Sequence, residues 1–434
     1  MSTNIKYVIL ITIDCLRSDI LLSMLPKLPT FNMLAREGTF IDDMLANSVP
    51  TYLAFPMLFS SRNDLIKEDR VGYPVNHPSL IKELKKNKIM TIAFTDGNPW
   101  LSSFFGYHYY FDFFYDEITA SSNLKKRVAT FLKQSNTLDY LSRLVFVMLG
   151  KNLYPSSLEI IEKVRSHIIN IKSKERAFLW LHLMDLHYPW FSRSYSSRIQ
   201  AKTWYWFSRY SPEKSYNKDE IAIVGALGKE LYQSKLIDID NSIQKLLNLL
   251  DKEHILNSTI IMITSDHGTE FGEQGGLGHG PWKTIEEYIR IPLIVYGNVL
   301  KEKAINTKHI EQIDIAPTIA EIFQINVPKT WQGQSLFSNY IISPRFCSFQ
   351  YGFNPFNDET LNNRYVILVD YMKAKYTLND HSNYSFFENF RETKDSVSCK
   401  NELEQLAKNF LRKLKLKEKA RGFTKNGTKN RKST

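Results

Sequence analysis

A chain of 434 residues with 43% apolar content, 27 Phe, 23 Tyr and 7 Trp can bury a large core, which excludes a disordered or low-complexity polymer. Three cysteines, Cys15, Cys347 and Cys399, are too few and too scattered for a disulfide framework or a zinc knuckle, and no stretch approaches the roughly 18 apolar residues of a membrane span. The net charge of +11 is local: from Leu411 to Thr434 ten Lys or Arg stand against one Glu, so this tail carries +9 and the body only +2, and it lacks the run of interleaved aromatics that would suggest a specific nucleic-acid surface, Phe423 standing alone.

The first apolar run, Tyr7 to Ile13 in "YVILITIDCLRSD", is short, ends on Asp14 and has no small-residue cleavage site after it. It reads as a strand rather than a signal peptide, and a cytoplasmic location is expected. "PTFNMLAREG" follows as a helix with Gly38 as its cap, and "SVPTYLAFPMLFSS" as a helix that opens just after Pro50. Next, "HPSLIKELKKNK" leads into the strand "IMTIAFT", "SLEIIEKVRSHIINI" into "RAFLWLHL", and a long helical pattern from Asp219 into "STIIMITS". "RIPLIVYG" is a further strand. The alternation predicts an α/β fold, a large and mostly parallel sheet sandwiched by helices.

Residues 117–154 and 192–218 interrupt the pattern and read as insertions rich in aromatics, such as "TWYWFSRY". Beyond Leu336 the pattern changes to "RYVILVDYMKAKYTL" and a charged helix, which predicts a small C-terminal α+β subdomain. The expected division is a catalytic domain over 1–337, a subdomain over 338–410, and a disordered basic tail over 411–434. Such a tail is most often a solvated end and less often a peripheral contact with an anionic surface.

Asp266 and His267 stand at the carboxyl end of "STIIMITS", where open α/β sheets hold their ligands, and Asp14 ends the first strand in the same way. An Asp-His pair also forms turns by chance, so the pair alone decides nothing. Two carboxylates and an imidazole at one sheet edge suit Zn²⁺, Mn²⁺ or Mg²⁺. Thr51, at a helix N-terminus after Pro50, is the hydroxyl that such an ion would activate as a nucleophile.

In this order the segments resemble the alkaline phosphatase/sulfatase superfamily of metallo-esterases, over about residues 5–337. "ILITIDCLRSD" is similar to its first metal strand, "SVPTYLAFPMLFSS" to its nucleophile segment, and "LHLMDLHYPW" to a substrate loop. "SDHGTEFGE" with the later "GHG" is similar to its second metal motif, and "EEYIRIPLIVYG" and "IDIAPTIAEIF" to framework motifs. The resemblance implies an alkaline phosphatase-like fold with one or two divalent ions, Zn, Mn, Mg or Ca. It implies Asp14, Asp266 and His267 as ligands and Thr51 as both ligand and nucleophile. His187 matches a histidine that contacts the anionic group and serves as acid for the leaving oxygen, and His279 and Lys283 match substrate or second-metal positions. Asn98, after "AFTDG", would add a donor to the same cradle.

The departures are specific. Where sulfatases carry "C/S-x-P-x-R", from which formylglycine is made, this chain has "TYLAF"; where many have a second aspartate, it has Cys15; where many have "K-x-H", it has "DGNPW". The threonine resembles the phosphotransfer branch, such as phosphoethanolamine and glycerol-phosphate transferases. A phosphoryl transition state spreads charge over oxygens that His187, His279, Lys283 and a metal would clamp. The expected function is therefore a metal-dependent hydrolase or transferase of phosphate esters on an anionic substrate, saccharide- or lipid-linked esters included. The alternatives are a sulfuric ester hydrolase and a non-catalytic module that binds anionic glycans or lipids. No specific nucleic acid is expected, and the oligomeric state is left open.

Overall fold

Strand β1 (Tyr7–Ile13) is apolar at every position but Thr12 and buried throughout. Ile9, Ile11 and Ile13 pack into one hydrophobic layer, Val8 and Leu10 into another, as a strand covered on both faces requires. The computed structural model describes residues 5–65, 72–117, 155–192, 195–211, 214–280, 283–298, 305–337, 343–353, 360–371, 374–379, 384–389 and 396–429. Along the chain follow α1 (Ser18–Met24), α2 (Pro29–Glu37), β2 (Thr39–Leu45), α3 (Thr51–Ser60), α4 (Leu80–Lys86), β3 (Met90–Thr95) and β4 (Phe113–Asp116). Then come α5 (Ser157–Lys172), β5 (Ala177–Leu183), α6 (Ser197–Arg209), α7 (Lys218–Lys252), β6 (Thr259–Thr264), β7 (Glu270–Phe271) and β8 (Leu277–Gly278). The one-turn α8 (Glu286–Ile289), β9 (Arg290–Tyr296) and α9 (Ile315–Ile322) complete the main body.

The seven strands of the main sheet lie in the order β2-β9-β6-β1-β5-β3-β4. Strands β6, β1, β5, β3 and β4 are mutually parallel, and β9 runs antiparallel to both of its neighbours. Helices α1, α2, α5 and α7 cover one face, while α3, α4 and α9 cover the other. The sequence pattern thus yields the expected large, mostly parallel sheet between helical layers. "RIPLIVYG" departs from it because, among the described residues, the only helix between β6 and β9 is the single turn α8, which is too little for a helical crossover to a parallel strand.

The C-terminal sheet comprises β10 (Arg345–Phe353), β11 (Thr360–Tyr371), β12 (Ala374–Asn379) and β13 (Tyr384–Asn389), all antiparallel, with α10 (Ser396–Lys429) laid across it. Ile367 and Val369 pack against Leu403, Ala407, Phe410 and Leu414 of that helix. Leu45, Val49, Tyr288 and Ile289 of the main body meet Cys347 and Leu368, so the two sheets share a buried seam. The seam is also charged: Asp370 accepts from Arg345 at 2.8 Å and from Arg290 at 2.6 Å.

The expected disordered tail is a correction at its beginning. Residues 411–417 continue α10, because Leu414 is buried and Lys413 and Lys417 reach the buried carboxylate of Asp64 at 2.8 and 2.6 Å. Of the aromatic insertions, "TWYWFSR" lies on α6, whose buried Trp204 and Phe207 face inward, with Phe207 against Trp190. Nearly all of 117–154 lies outside the described residues. Among the described residues, no helix is long and apolar enough to cross a membrane.

Candidate metal and catalytic site

The parallel register of β1 and β6 pairs Thr12 with Thr264, which sets Asp14 and Asp266 level just beyond the strand ends. The turn after β6 is built around Ser265, whose hydroxyl is tied to the carbonyls of Ile13 and His267 and accepts from the Leu16 amide at 2.9 Å. Gly268 completes it: its amide donates to the Tyr288 carbonyl at 2.7 Å, and a Cβ there would collide with the carbonyl of Glu287. The glycine of "DHG" is thus required by close backbone approach.

Helix α3 brings the fourth group. Pro50 is its N-cap and Thr51 its first residue, so the side chain projects from the positive end of the helix. The Thr51 hydroxyl donates to Asp266 Oδ2 at 2.7 Å and lies 3.3 Å from both Asp14 Oδ2 and His267 Nε2. All four side chains are buried. His267 donates through Nδ1 to the Gly268 carbonyl at 2.9 Å, which leaves the lone pair on Nε2, the atom facing Thr51.

Two carboxylates buried side by side are costly unless a cation neutralises them. Burial pushes Asp266 up, and the charge of Asp14 pushes it further. Burial acts on Asp14 in the same sense, but His182, His187 and His267 outweigh it and hold that carboxyl well below the usual range. Asp14, Asp266 and His267 offer ligand atoms within 4.8 Å of one another, and two hard oxygens with an imidazole nitrogen fit a divalent cation.

The remaining expected residues divide. His279 belongs to the pocket: its ring lies 4.3 Å from that of His267 and 5.3 Å from that of His187, centroid to centroid. Burial lowers its pKa, and the neighbouring imidazoles lower it further, so it is a neutral base. His187 donates through Nδ1 to the Tyr188 carbonyl at 2.6 Å. Asn98 donates to Asp14 Oδ2 at 3.1 Å while its side-chain oxygen caps a short turn at Trp100, so it serves the carboxylate that the metal would use. Lys283 is engaged elsewhere, with Glu270 at 2.8 Å and the Gln274 carbonyl at 3.1 Å.

Two residues of the site escape a reading by segment. His182 on β5 is fully buried, with Nδ1 3.0 Å from the Thr12 hydroxyl and Nε2 3.6 Å from Asp14 Oδ2. An imidazole inside the apolar run "FLWLHL" was the available signal, since such a group must find partners. Cys15 is the other: its thiol donates to Asp14 Oδ1 at 2.9 Å.

A phosphonate monoester hydrolase from Silicibacter pomeroyi shares this architecture with a TM-score of 0.67 at 14% identity, covering 94% of both chains. So does a protein solved in complex with its substrate D-glucosamine-2-N,6-O-disulfate, with a TM-score of 0.63 at 15% identity over 95% of this chain and 98% of that one. At such identities the likeness is one of fold. In sequence, the N-acetylglucosamine-6-O-sulfatase of Bacteroides thetaiotaomicron is 35% identical over 106 residues, 24% of this chain and 19% of that protein. The arylsulfatase of Clostridium perfringens is 30% identical over 136 residues, 29% of this chain and 28% of that protein. The chain thus matches less than a third of either relative's length. The family model described as Sulfatase spans residues 6–325, from the start of β1 past α9 and through all four converging side chains: the chain belongs to the sulfatase family.

Proposed function

We propose that this protein is a divalent-metal-dependent esterase that cleaves a phosphate ester by in-line attack of Thr51. The observation that carries the reading is the Thr51 hydroxyl, held at a helix N-terminus 2.7 Å from Asp266 and 3.3 Å from Asp14 and His267. Asp14, Asp266, His267 and Thr51 would hold a divalent cation, which would supply Lewis acidity to ease ionisation of the hydroxyl and offset charge on the phosphoryl oxygens.

The chain's own groups account for the rest. Asp266 Oδ2 is the nearest acceptor for the Thr51 proton. The positive end of α3 favours an anionic group beside Thr51. As the bond from Thr51 to phosphorus forms and the ester bond breaks, the leaving oxygen takes a proton from His187, whose orientation is set by its bond to the Tyr188 carbonyl. His279, a neutral base in the same pocket, suits the second half, in which water or an acceptor alcohol opens the phosphothreonine.

A second reading has specific support: the two sequence relatives are named as sulfatases and a fold neighbour was solved with a sulfated glucosamine, which favours a sulfate ester on a saccharide. Against it stands "TYLAF", where the cysteine or serine that becomes formylglycine would be. Protein loaded with Zn²⁺, Mn²⁺, Mg²⁺ or Ca²⁺ in turn is expected to turn over aryl phosphate or bis-aryl phosphate faster than aryl sulfate. Turnover of the sulfate alone overturns the phosphate reading in favour of the second. Thr51→Ala should abolish turnover with the fold intact by circular dichroism, and mass spectrometry of quenched wild-type enzyme should find a phosphate on Thr51.

A further inference from the structure

Cys15 follows Asp14 directly and adopts a φ of 64°, in the left-handed region that residues with a β-carbon rarely occupy. Such a backbone persists only where the surroundings hold it. Here it turns two consecutive side chains into one crevice. The Cys15 sulfur lies 2.9 Å from Asp14 Oδ1 and 3.5 Å from His279 Nδ1, and its amide faces Asp266 Oδ1 at 3.4 Å. Cys15, His267 and His279 form a second group whose ligand atoms lie within 4.8 Å of one another, and His267 also belongs to the first group. Nδ1 of His267 is committed to the Gly268 carbonyl, and a single remaining nitrogen holds a single ion. The two groups are therefore one pocket, with oxygen donors on one side and sulfur and a second imidazole on the other.

We propose that Cys15 is itself a ligand of the cation bound at this pocket, and that its sulfur makes the site select a zinc-class ion over calcium or magnesium. The proposal rests on the metal-site reading given above. Calcium and magnesium take oxygen ligands, whereas thiolate and imidazole favour Zn²⁺ and its neighbours. On binding, the S–H bond breaks as the metal–sulfur bond forms, and the proton leaves to solvent.

The full-length protein, stripped with chelator and loaded with Co²⁺, tests this. Wild type should show sulfur-to-cobalt charge-transfer absorption in the near ultraviolet, and Cys15→Ser should lose it although Cys347 and Cys399 remain. Dialysis against equal Zn²⁺ and Ca²⁺, read by elemental analysis, should leave wild type with zinc. Cys15→Asp should shift the ratio toward calcium by about tenfold or more. Aspartate tolerates the left-handed backbone better than most residues, so this variant is expected to fold, with circular dichroism as the check. Cobalt bound without the band, a band retained in Cys15→Ser, or an unchanged ratio in Cys15→Asp each overturns the cysteine as ligand while leaving the four-residue site standing. Wild type that binds no divalent ion overturns both.

Discussion

The carboxylate of Asp14 is gripped by three groups from separate segments, the Asn98 amide at 3.1 Å, the His182 ring at 3.6 Å and the Cys15 thiol at 2.9 Å. Groups that orient a ligand are worth about 10–100-fold in metal affinity, so His182→Ala should weaken binding by that factor in a metal titration without removing a ligand. Asp14→Ala or Asp266→Ala should instead release the metal, as read by elemental analysis. Asp14, Thr51, Asp266 and His267 were legible in the sequence because each sits where an apolar strand or a helix begins or ends. His182 was not, and Asn98 was legible only as a donor to the cradle, since their contacts with Asp14 depend on a neighbour that only the fold supplies. Lys283, read from the sequence as a substrate contact, is paired with the buried Glu270, a partner that its place beside a glycine loop does not reveal.

Among elements, the segment leading into α3 is fixed from two directions. Asn47 donates to Glu311 Oε2 and to the Phe346 carbonyl, and accepts from the Ile313 amide; the Ser48 hydroxyl donates to the Ser348 carbonyl at 2.7 Å. Strand β10 thereby braces the loop that carries Thr51. Burial and the charge of Asp314 push Glu311 up to about 8 from an ordinary 4.5. A raised carboxyl favours folding while protonated: its contribution is complete below about 4.5 and is lost as pH rises through about 8. Glu311→Gln, which cannot ionise, should therefore gain stability relative to wild type across that window, seen as a flatter plot of Tm against pH. The charged seam gives a second expectation. Asp370→Ala removes one acceptor from Arg290, which keeps Asp43 and Glu286, and from the buried Arg345, which keeps Asp43 and two carbonyls, and urea unfolding should show a loss of about 1–3 kcal/mol. Sequence patterning indicates a small α+β subdomain at the C-terminal end but not this seam, because its charged residues are widely separated in the chain.

For the whole molecule, the basic end is where charge counting misled. A run of ten cations among 24 residues looks solvated, yet its first turns carry Leu414 into the core and two lysines to Asp64. Burial works to raise Asp64, but Lys413, Lys417 and Arg62 hold it below the ordinary 3.8, so this contact stabilises above that pH and fails as acid protonates it. Truncation after residue 410 should lower stability at neutral pH by about 2 kcal/mol from Leu414 alone, measured by denaturant melts. A dispensable tail would leave the midpoint unchanged.

The brace between Ser48 and Ser348 joins positions 300 apart in the chain. During synthesis, therefore, this hold on the loop that aims Thr51 can form only after Ser348 has been made, later than the contacts of Asn47 with Glu311 and Ile313. Fragments ending before Ser348 carry all four converging side chains but lack this hold on the Thr51 loop, so the geometry proposed for ester cleavage should be completed only once the C-terminal sheet has been added.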